Sequence, residues 1–290
     1  MKRLWILLLL PLLLTGCGSE GFADRMYTRA IGLHGDLQIS VQGFEQDGCT
    51  VVEAGSIGEA LQFAEAAAGG KVFVGHTELL CLDGSCSGEA AEQLFFGQGI
   101  SPGCKVLYTR PVRFLQEHDA AETVHSIRMA ERSGLLPRTE LATVLEEWRG
   151  TGQTALVPME GCRMLVLLRR DGRMTALSEQ ACEGMRYLRR HPAVKSVTLD
   201  DGTEVGIDRI RLQKTAEDGG LRYTVQIRAK EAAPSSRRAL QKKLQTACEM
   251  AAREMHTAQA DVIGVQEACA SHGFPYEPLP EVRVTVEVTE

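Results

Sequence analysis

The sequence predicts a mixed α/β protein of the α+β type, with two to three small domains whose antiparallel or mixed sheets are covered by helices. Two observations predict this class. In the first half of the chain, short apolar runs alternate with amphipathic helical segments. In the last third, residues 221–227 alternate strictly between apolar and polar, and a long helical stripe follows them. Strands and helices in this succession pack in layers rather than as a helical bundle.

The first residues have the pattern of a bacterial lipoprotein signal. A basic pair precedes an apolar run that is shorter than the roughly 20 residues of a membrane span. The run ends at Leu14, Thr15 and Gly16, which a signal peptidase would recognise, and Cys17 follows directly. We expect cleavage before Cys17 and lipid on its sulfur, so that acyl chains anchor the protein. The alternative is an ordinary secretory signal with a cysteine at its end.

The remaining patterns predict how the chain is organised. Residues 1–17 are the signal peptide that ends at the lipidated cysteine, and residues 18–24, which are small and polar, form a tether. An N-terminal α/β domain covers residues 25–158, a middle α/β unit covers residues 159–200, and a C-terminal sheet-plus-helix domain covers residues 201–290. Each assignment depends on the elements described next.

The N-terminal domain opens with a weakly alternating strand at residues 37–41. A helix follows, in which Ser56 and Glu59 form a capping box and Gly69 marks the end. The apolar run at residues 71–74 directly after it predicts a buried strand. The order strand, helix, strand favours an α/β layer.

Two further helical segments lie between residues 119 and 148. Gly134 closes the first, and Thr139 is predicted to cap the second. Both have their apolar residues on one face and are expected to cover a sheet. The Gly- and Thr-rich residues 150–154 mark the domain boundary, which ends at Pro158.

The middle unit contains a hairpin and a helix. Residues 164–168 and 174–177 are apolar strands joined by a turn at Asp171 and Gly172. Ser178 then caps a helix that runs to about His191. Further strands are predicted at residues 194–199 and 204–212.

The C-terminal domain has the clearest patterning. A long helix follows Pro234, with an apolar stripe that includes Leu240, Leu244 and Cys248. The valines of residues 282–288 alternate with polar residues as the final strand. We expect an antiparallel sheet with this helix laid across its apolar face.

Charge excludes one class of partner and bears on the anchor. The formal charge is −6, and it becomes −8 once Lys2 and Arg3 are removed. An acidic chain without basic clusters is not expected to bind nucleic acid. It is also expected to avoid anionic headgroups, so the lipid on Cys17, rather than a basic patch, would hold the protein to the bilayer.

Eight cysteines remain beyond Cys17, and an even number outside the cytoplasm permits disulfides without fixing their pairing. Cys81 and Cys86 bracket a turn and could close a small loop. The chain contains no C-x-x-C pair, so a structural zinc site is not expected, and no other metal or cofactor is predicted. Cys248, on the helical stripe, is expected to be a buried thiol.

Few residues suggest catalysis. His76 and Glu78 could be a base and a carboxylate, but a strand-end histidine bonded to a nearby loop is the simpler interpretation. His118 and His125 lie seven apart on one predicted helical face and are expected to be solvated. The sequence contains no nucleophile elbow, P-loop or H-E-x-x-H motif. We therefore expect no enzymatic activity and assign no catalytic residue.

Six ordered segments behind the signal resemble segments of the Ger(x)C family of spore germination lipoproteins. They are residues 29–33 (RAIGL), 54–61 (AGSIGEAL), 71–76 (KVFVGH), 155–158 (ALVP), 260–265 (ADVIGV) and the alternating valines of the last strand. The resemblance covers nearly the whole chain. It implies a mixed α/β fold in three small domains.

The resemblance also implies a function. Members of this family are the C subunits of nutrient germinant receptors, which contain integral-membrane A and B subunits. The chain would then be a lipid-anchored, non-enzymatic subunit on the outer leaflet of the inner spore membrane, with the A and B subunits as its partners. Two other classes stay open: an extracytoplasmic solute-binding lipoprotein of a transporter, and a lipoprotein hydrolase that acts on the cell wall.

Overall fold

The computed structural model describes residues 25–35, 38–45, 48–86, 88–150, 153–189, 194–217, 220–273, 275 and 277–290. The predicted signal peptide, Cys17 and the tether lie outside these residues. Three sheets and the helices between them make up the described fold, which is the mixed α+β class that the sequence predicts.

The first sheet has six strands. They are β1 (Arg25–His34), β2 (Gln38–Gly43), β3 (Thr50–Glu53), β4 (Lys71–Phe73), β5 (Leu79–Leu82) and β6 (Lys105–Tyr108). The order across the sheet is β3-β2-β1-β5-β6, and β4 pairs with the beginning of β1. Strands β1, β2 and β3 are antiparallel, whereas β1, β5 and β6 are parallel, so the sheet is mixed.

Five helices accompany this sheet in the described residues. They are α1 (Ile57–Ala68), α2 (Gly88–Glu92), α3 (Pro111–Glu117), α4 (Ala120–Arg132) and α5 (Leu141–Arg149). A 3-10 turn, Val74–His76, follows β4, and π-helical residues Gln93–Gly97 extend α2. One bond of the predicted capping box is present, since Ser56 accepts from the backbone N–H of Glu59 at 3.2 Å, whereas Glu59 accepts from the backbone N–H of Gly55 at 2.8 Å instead of that of Ser56.

Both faces of the first sheet are buried. Along β5, Leu79 and Cys81 belong to one apolar core, while Leu80 and Leu82 belong to the other. Helices α3 and α4 contribute to the first core, and α1, α2 and α5 contribute to the second. A strand covered on both sides reads as a continuous apolar run instead of an alternating one.

The second sheet has three strands. Its strands, β7 (Thr154–Pro158), β8 (Leu165–Arg169) and β9 (Met174–Ala176), are antiparallel, and helix α6 (Glu179–Leu188) follows them. The predicted hairpin and the Ser178 cap are confirmed, since Ser178 accepts from the backbone N–H of Ala181. The predicted helix end at His191 lies outside the described residues.

The third sheet has the order β10-β11-β12-β13. Its strands are β10 (Ser196–Thr198), β11 (Glu204–Glu217), β12 (Gly220–Ala229) and β13 (Val282–Thr289), with helices α7 (Pro234–Ala258) and α8 (Val265–His272) between β12 and β13. The predicted stripe of α7 is buried as expected. Helix α7 crosses α6 closely: a Cβ at Gly184 would lie 2.1 Å from the carbonyl oxygen of Ala247.

Three predictions of local structure were wrong. Strand β13 runs parallel to β12, because the crossover through α7 and α8 returns the chain in the same direction. Residues 71–73 form an exposed strand beside the beginning of β1, and the buried strand is β5 instead. Helix α5 begins after Glu140, and Thr139 donates its hydroxyl to Glu131 rather than capping the helix.

The predicted domain boundaries separate paired strands. The boundary after Pro158 falls between β7 and β8, and the boundary after Asp200 falls between β10 and β11. Proline and glycine mark turns inside a sheet as readily as linkers between domains, and the division into three domains stays a prediction.

Candidate functional site

The predicted lipidation site is not part of the described structure. Cys17 and the three residues before it, Leu14, Thr15 and Gly16, lie in the undescribed first 24 residues, and their roles stay predictions. Across the part of the chain that the structure covers, no helix is both long and apolar enough to cross a membrane.

A groove of about 920 Å³ opens where the parallel strands β1, β5 and β6 end. The carboxyl ends of parallel strands are the usual place for ligand sites in open sheets. Polar residues from these strand ends and from the turn after β7 line much of the groove. They include His34, Asp83, Ser85, Tyr108, Thr109, Arg110 and Glu160.

Asp83 organises one side of the groove. Its carboxylate contacts the imidazole Nδ1 of His34 and accepts hydrogen bonds from the hydroxyl and the backbone N–H of Ser85. The Ser85 hydroxyl in turn accepts from the backbone N–H of Gly35 at 2.8 Å. The carboxylate thus lies between the imidazole and the hydroxyl. In a catalytic triad the histidine lies between the serine and the carboxylate, so in the arrangement found here the histidine does not take the serine proton. These contacts fasten the end of β5 to the end of β1.

Glu160 organises the other side. It accepts from the Thr109 hydroxyl at 2.9 Å and lies 3.4 Å from Nε2 of His118. Burial, together with the charge of Asp83, raises the pKa of Tyr108, so its hydroxyl stays protonated at neutral pH. The groove therefore offers carboxylates, a phenol and the imidazole of His34, which can hold a polar molecule or a polypeptide segment.

The predicted pair of His76 and Glu78 has no shared function in the structure. The His76 ring is 5.3 Å from the Phe73 ring and 5.8 Å from the Tyr27 ring. Glu78 instead faces arginines, with Arg128 at 3.5 Å. These are ring contacts, whereas the simpler interpretation expected a bond from the histidine to a nearby loop.

The two other histidines do not share a helical face. His118 ends α3 and stacks against Phe114 with ring centroids 4.7 Å apart, whereas His125 is exposed within α4. The break at Asp119, which caps α4, separates them. Their spacing of seven residues predicted one continuous helix, and this was wrong.

The eight cysteines of the described chain are free thiols. Cys81 and Cys86, which were expected to be able to close a loop, face different cores. Burial raises the pKa of Cys104 to about 12 and also raises those of Cys81 and Cys248. These thiols stay protonated and act as small apolar side chains, as expected of Cys248. Within the described residues, no three His, Cys, Asp or Glu side chains cluster as metal ligands would.

An ion cluster that the sequence did not reveal joins β6 to two helices. The ammonium of Lys105 is 2.6 Å from Glu131 and 2.7 Å from Glu140. Its side chain is only 5% exposed. The three residues are separated by up to 35 positions, so no local pattern could have predicted the cluster.

Asp261, in one of the family-like segments, shapes the chain before α8. Its carboxylate accepts from the backbone N–H groups of Val265 and Gln266 at 2.8 and 2.7 Å. Lys214 donates to the carbonyls of Ile263 and Gly264 in the same turn. The segment therefore caps a helix and ties it to β11.

One solved structure has a similar fold. The crystal structure of the GerBC protein matches with a TM-score of 0.52 and 10% sequence identity, over 87% of this chain and 91% of that chain. At this identity the similarity establishes the fold alone, which is Ger(x)C-like. No family model matches the sequence, and no curated protein matches it.

Proposed function

We propose that the chain is a membrane-anchored lipoprotein subunit of a spore nutrient germinant receptor, which acts through contacts with integral-membrane A and B subunits. The observation that carries this proposal is the fold shared with GerBC over 87% of the chain. A match of this extent goes beyond one common motif. The lipoprotein signal at Cys17 adds an independent argument from the sequence.

The family-like segments support the proposal through their positions in the fold. Residues 29–33 lie in β1, the central strand of the first sheet, and residues 54–61 contain Ser56, which caps α1. Residues 260–265 contain Asp261 and the turn that it holds before α8. These three segments thus occur where the fold constrains the side chain, as expected for a shared architecture that has kept few identical residues.

The anchor gives the proposal its physical mechanism. Acyl chains on Cys17 would confine the folded body near the bilayer and raise its effective concentration for membrane-embedded partners. Contacts of modest affinity would then be sufficient for assembly. The proposal contains no catalytic step, and the contacts of Asp83, which hold a serine and a histidine apart, are consistent with that.

The proposal is tested by deletion of the gene. Spores that lack the protein should fail to germinate with the nutrient that this receptor senses, because the membrane subunits would lack a partner. They should germinate normally with calcium dipicolinate, which bypasses nutrient receptors. Germination is measured as the fall in optical density of a spore suspension, with the deletion complemented by the intact gene as control.

Two results would contradict a receptor role. Equal loss of both responses would indicate a general defect of the spore, and retention of every nutrient response would indicate a function elsewhere.

A further inference from the structure

We propose that the outer face of the third sheet lies against the headgroups of anionic phospholipids. This inference rests on the membrane location in the proposed function. It concerns a surface of the protein that is distinct from the anchor at Cys17 and from the groove.

The face is defined by strand register. Opposite Cα partners place alternate residues of β11, β12 and β13 on the side away from α7. Twelve of these alternate residues are Arg209, Arg211, Gln213, Thr215, Arg222, Thr224, Gln226, Arg228, Arg283, Thr285, Glu287 and Thr289. We call them the basic face. The inward residues between them, such as Tyr223, Val225 and Val286, are buried in the core.

The basic face is positively charged in an acidic protein. Its twelve residues include five arginines and one glutamate, which sum to +4, and the other acidic residues of β11, Glu204, Asp208 and Glu217, lower the local sum to +1, whereas the whole chain carries −6. Asp208, beside the face, is 4.0 Å from Arg228, and Glu287 accepts from Gln226 at 3.1 Å. Net charge therefore conceals a local basic surface, which is why the sequence predicted no attraction to headgroups.

Four of the five arginines are available for contact. Arg209, Arg211, Arg228 and Arg283 are exposed. Within the described residues, no hydrogen bond or ion pair is found for Arg209, Arg211 or Arg283. Guanidinium groups bind phosphate through two parallel N–H donors, so each can engage a separate headgroup phosphate.

The composition of the face favours headgroups over a protein partner. Each of its twelve described positions is polar or charged, and none is aromatic or aliphatic. The centres of stable protein interfaces are anchored by buried aromatic side chains as well as by arginines. A charged surface without aromatic anchors suits a layer of phosphates, where attraction is electrostatic and adds to a lipid anchor.

Vesicle binding tests the proposal without the lipid anchor. The chain from residue 18 to 290, which contains every described element, is mixed with phosphatidylcholine vesicles that contain or lack phosphatidylglycerol, and the bound fraction is measured by sedimentation. We expect binding to the anionic vesicles only, and its loss at high salt.

A matched pair of variants locates the surface. Combined R209Q, R211Q and R283Q should lower the partition onto anionic vesicles by about tenfold or more. Combined R132Q, R238Q and R253Q removes the same charge from exposed positions of α4 and α7 and should leave binding nearly unchanged. Circular dichroism melting curves check that both variants fold.

The proposal is overturned if the two variants bind equally, or if neutral and anionic vesicles bind the protein alike. Absence of binding to either vesicle also overturns it and points to an acidic polypeptide instead. The vesicle assay contains neither spores nor receptor subunits. A negative vesicle result therefore does not affect the germination test of the proposed function, and a negative germination result does not affect the vesicle result.

Discussion

The first and third sheets of this protein both contain parallel and antiparallel strands. Both faces of the first sheet are buried, whereas only one face of the third sheet is covered. Strand β5 of the first sheet is buried at all four positions and serves two cores. Strand β12 of the third sheet alternates between buried and partly exposed residues, because helices cover one of its faces only. The first sheet is thus a structural centre, and the third sheet leaves a surface free for contact.

This difference shows where function can reside in a protein with few catalytic features. A sheet that is covered on both sides can offer only its edges and strand ends, and the groove beside Asp83 lies at such an end. A half-covered sheet offers a whole face. The basic face is such a surface, and its charge opposes that of the rest of the chain.

The sharpest test of the comparison substitutes one residue from each sheet. Leu80→Ala should lower the free energy of unfolding by about 2–5 kcal/mol, because it removes a fully buried side chain from a packed core. Thr285→Ala on the basic face should change it by less than about 0.5 kcal/mol. Urea denaturation measures both. Similar changes in the free energy of unfolding for the two variants would contradict the assignment of a structural role to Leu80 and a surface role to Thr285.

A smaller effect is expected from the ion cluster that fastens helices to the first sheet. Lys105→Met should cost about 3 kcal/mol, since it leaves Glu131 and Glu140 without their cation; partial exposure of Glu140 lets water relieve part of the loss. Lys242→Met, at an exposed position of α7, is the matched control. Equal denaturation midpoints for these variants would show that the cluster is not stabilising.

The same cluster predicts that the protein loses stability in acid. This is the smallest of the three effects on stability. Burial acts to raise the pKa of Glu140, but the hydrogen bond and charge of Lys105 outweigh it and hold the pKa below its ordinary 4.5. A carboxyl with a depressed folded-state pKa stabilises the fold above its unfolded pKa, and this contribution is lost as pH falls through the folded value. Denaturation at a series of acidic pH values should show a decline below about pH 4.5. Lys105→Met should flatten that decline, and an unchanged pH profile would argue against the pairing.

Much of the third sheet could be predicted, because its patterns are local. The stripe of α7 follows the helical period, and β12 follows the strand period, so each was assigned from the sequence. The parallel pairing of β13 could not be, because strand direction depends on the crossover and leaves no mark in the strand itself.

The first sheet and the sites were harder to predict for physical reasons. The run at residues 79–82 is too short to distinguish a strand from a buried helical turn, and burial on both faces removes alternation. Lys105 and its two partners come together only in the fold. The sequence shows the polar alternate residues of β13, which form part of the basic face. The positive charge of the face arises only when β11 and β12 lie beside β13 in the sheet.

The most direct test of a lipid-anchored receptor subunit is nutrient germination by spores that carry Cys17→Ala in place of the wild-type residue. The account predicts that this protein folds normally, is lost from the spore membrane fraction and fails to support nutrient-triggered germination, while the response to calcium dipicolinate persists. Normal nutrient germination by the Cys17→Ala spores, with the protein absent from the membrane fraction, would contradict it.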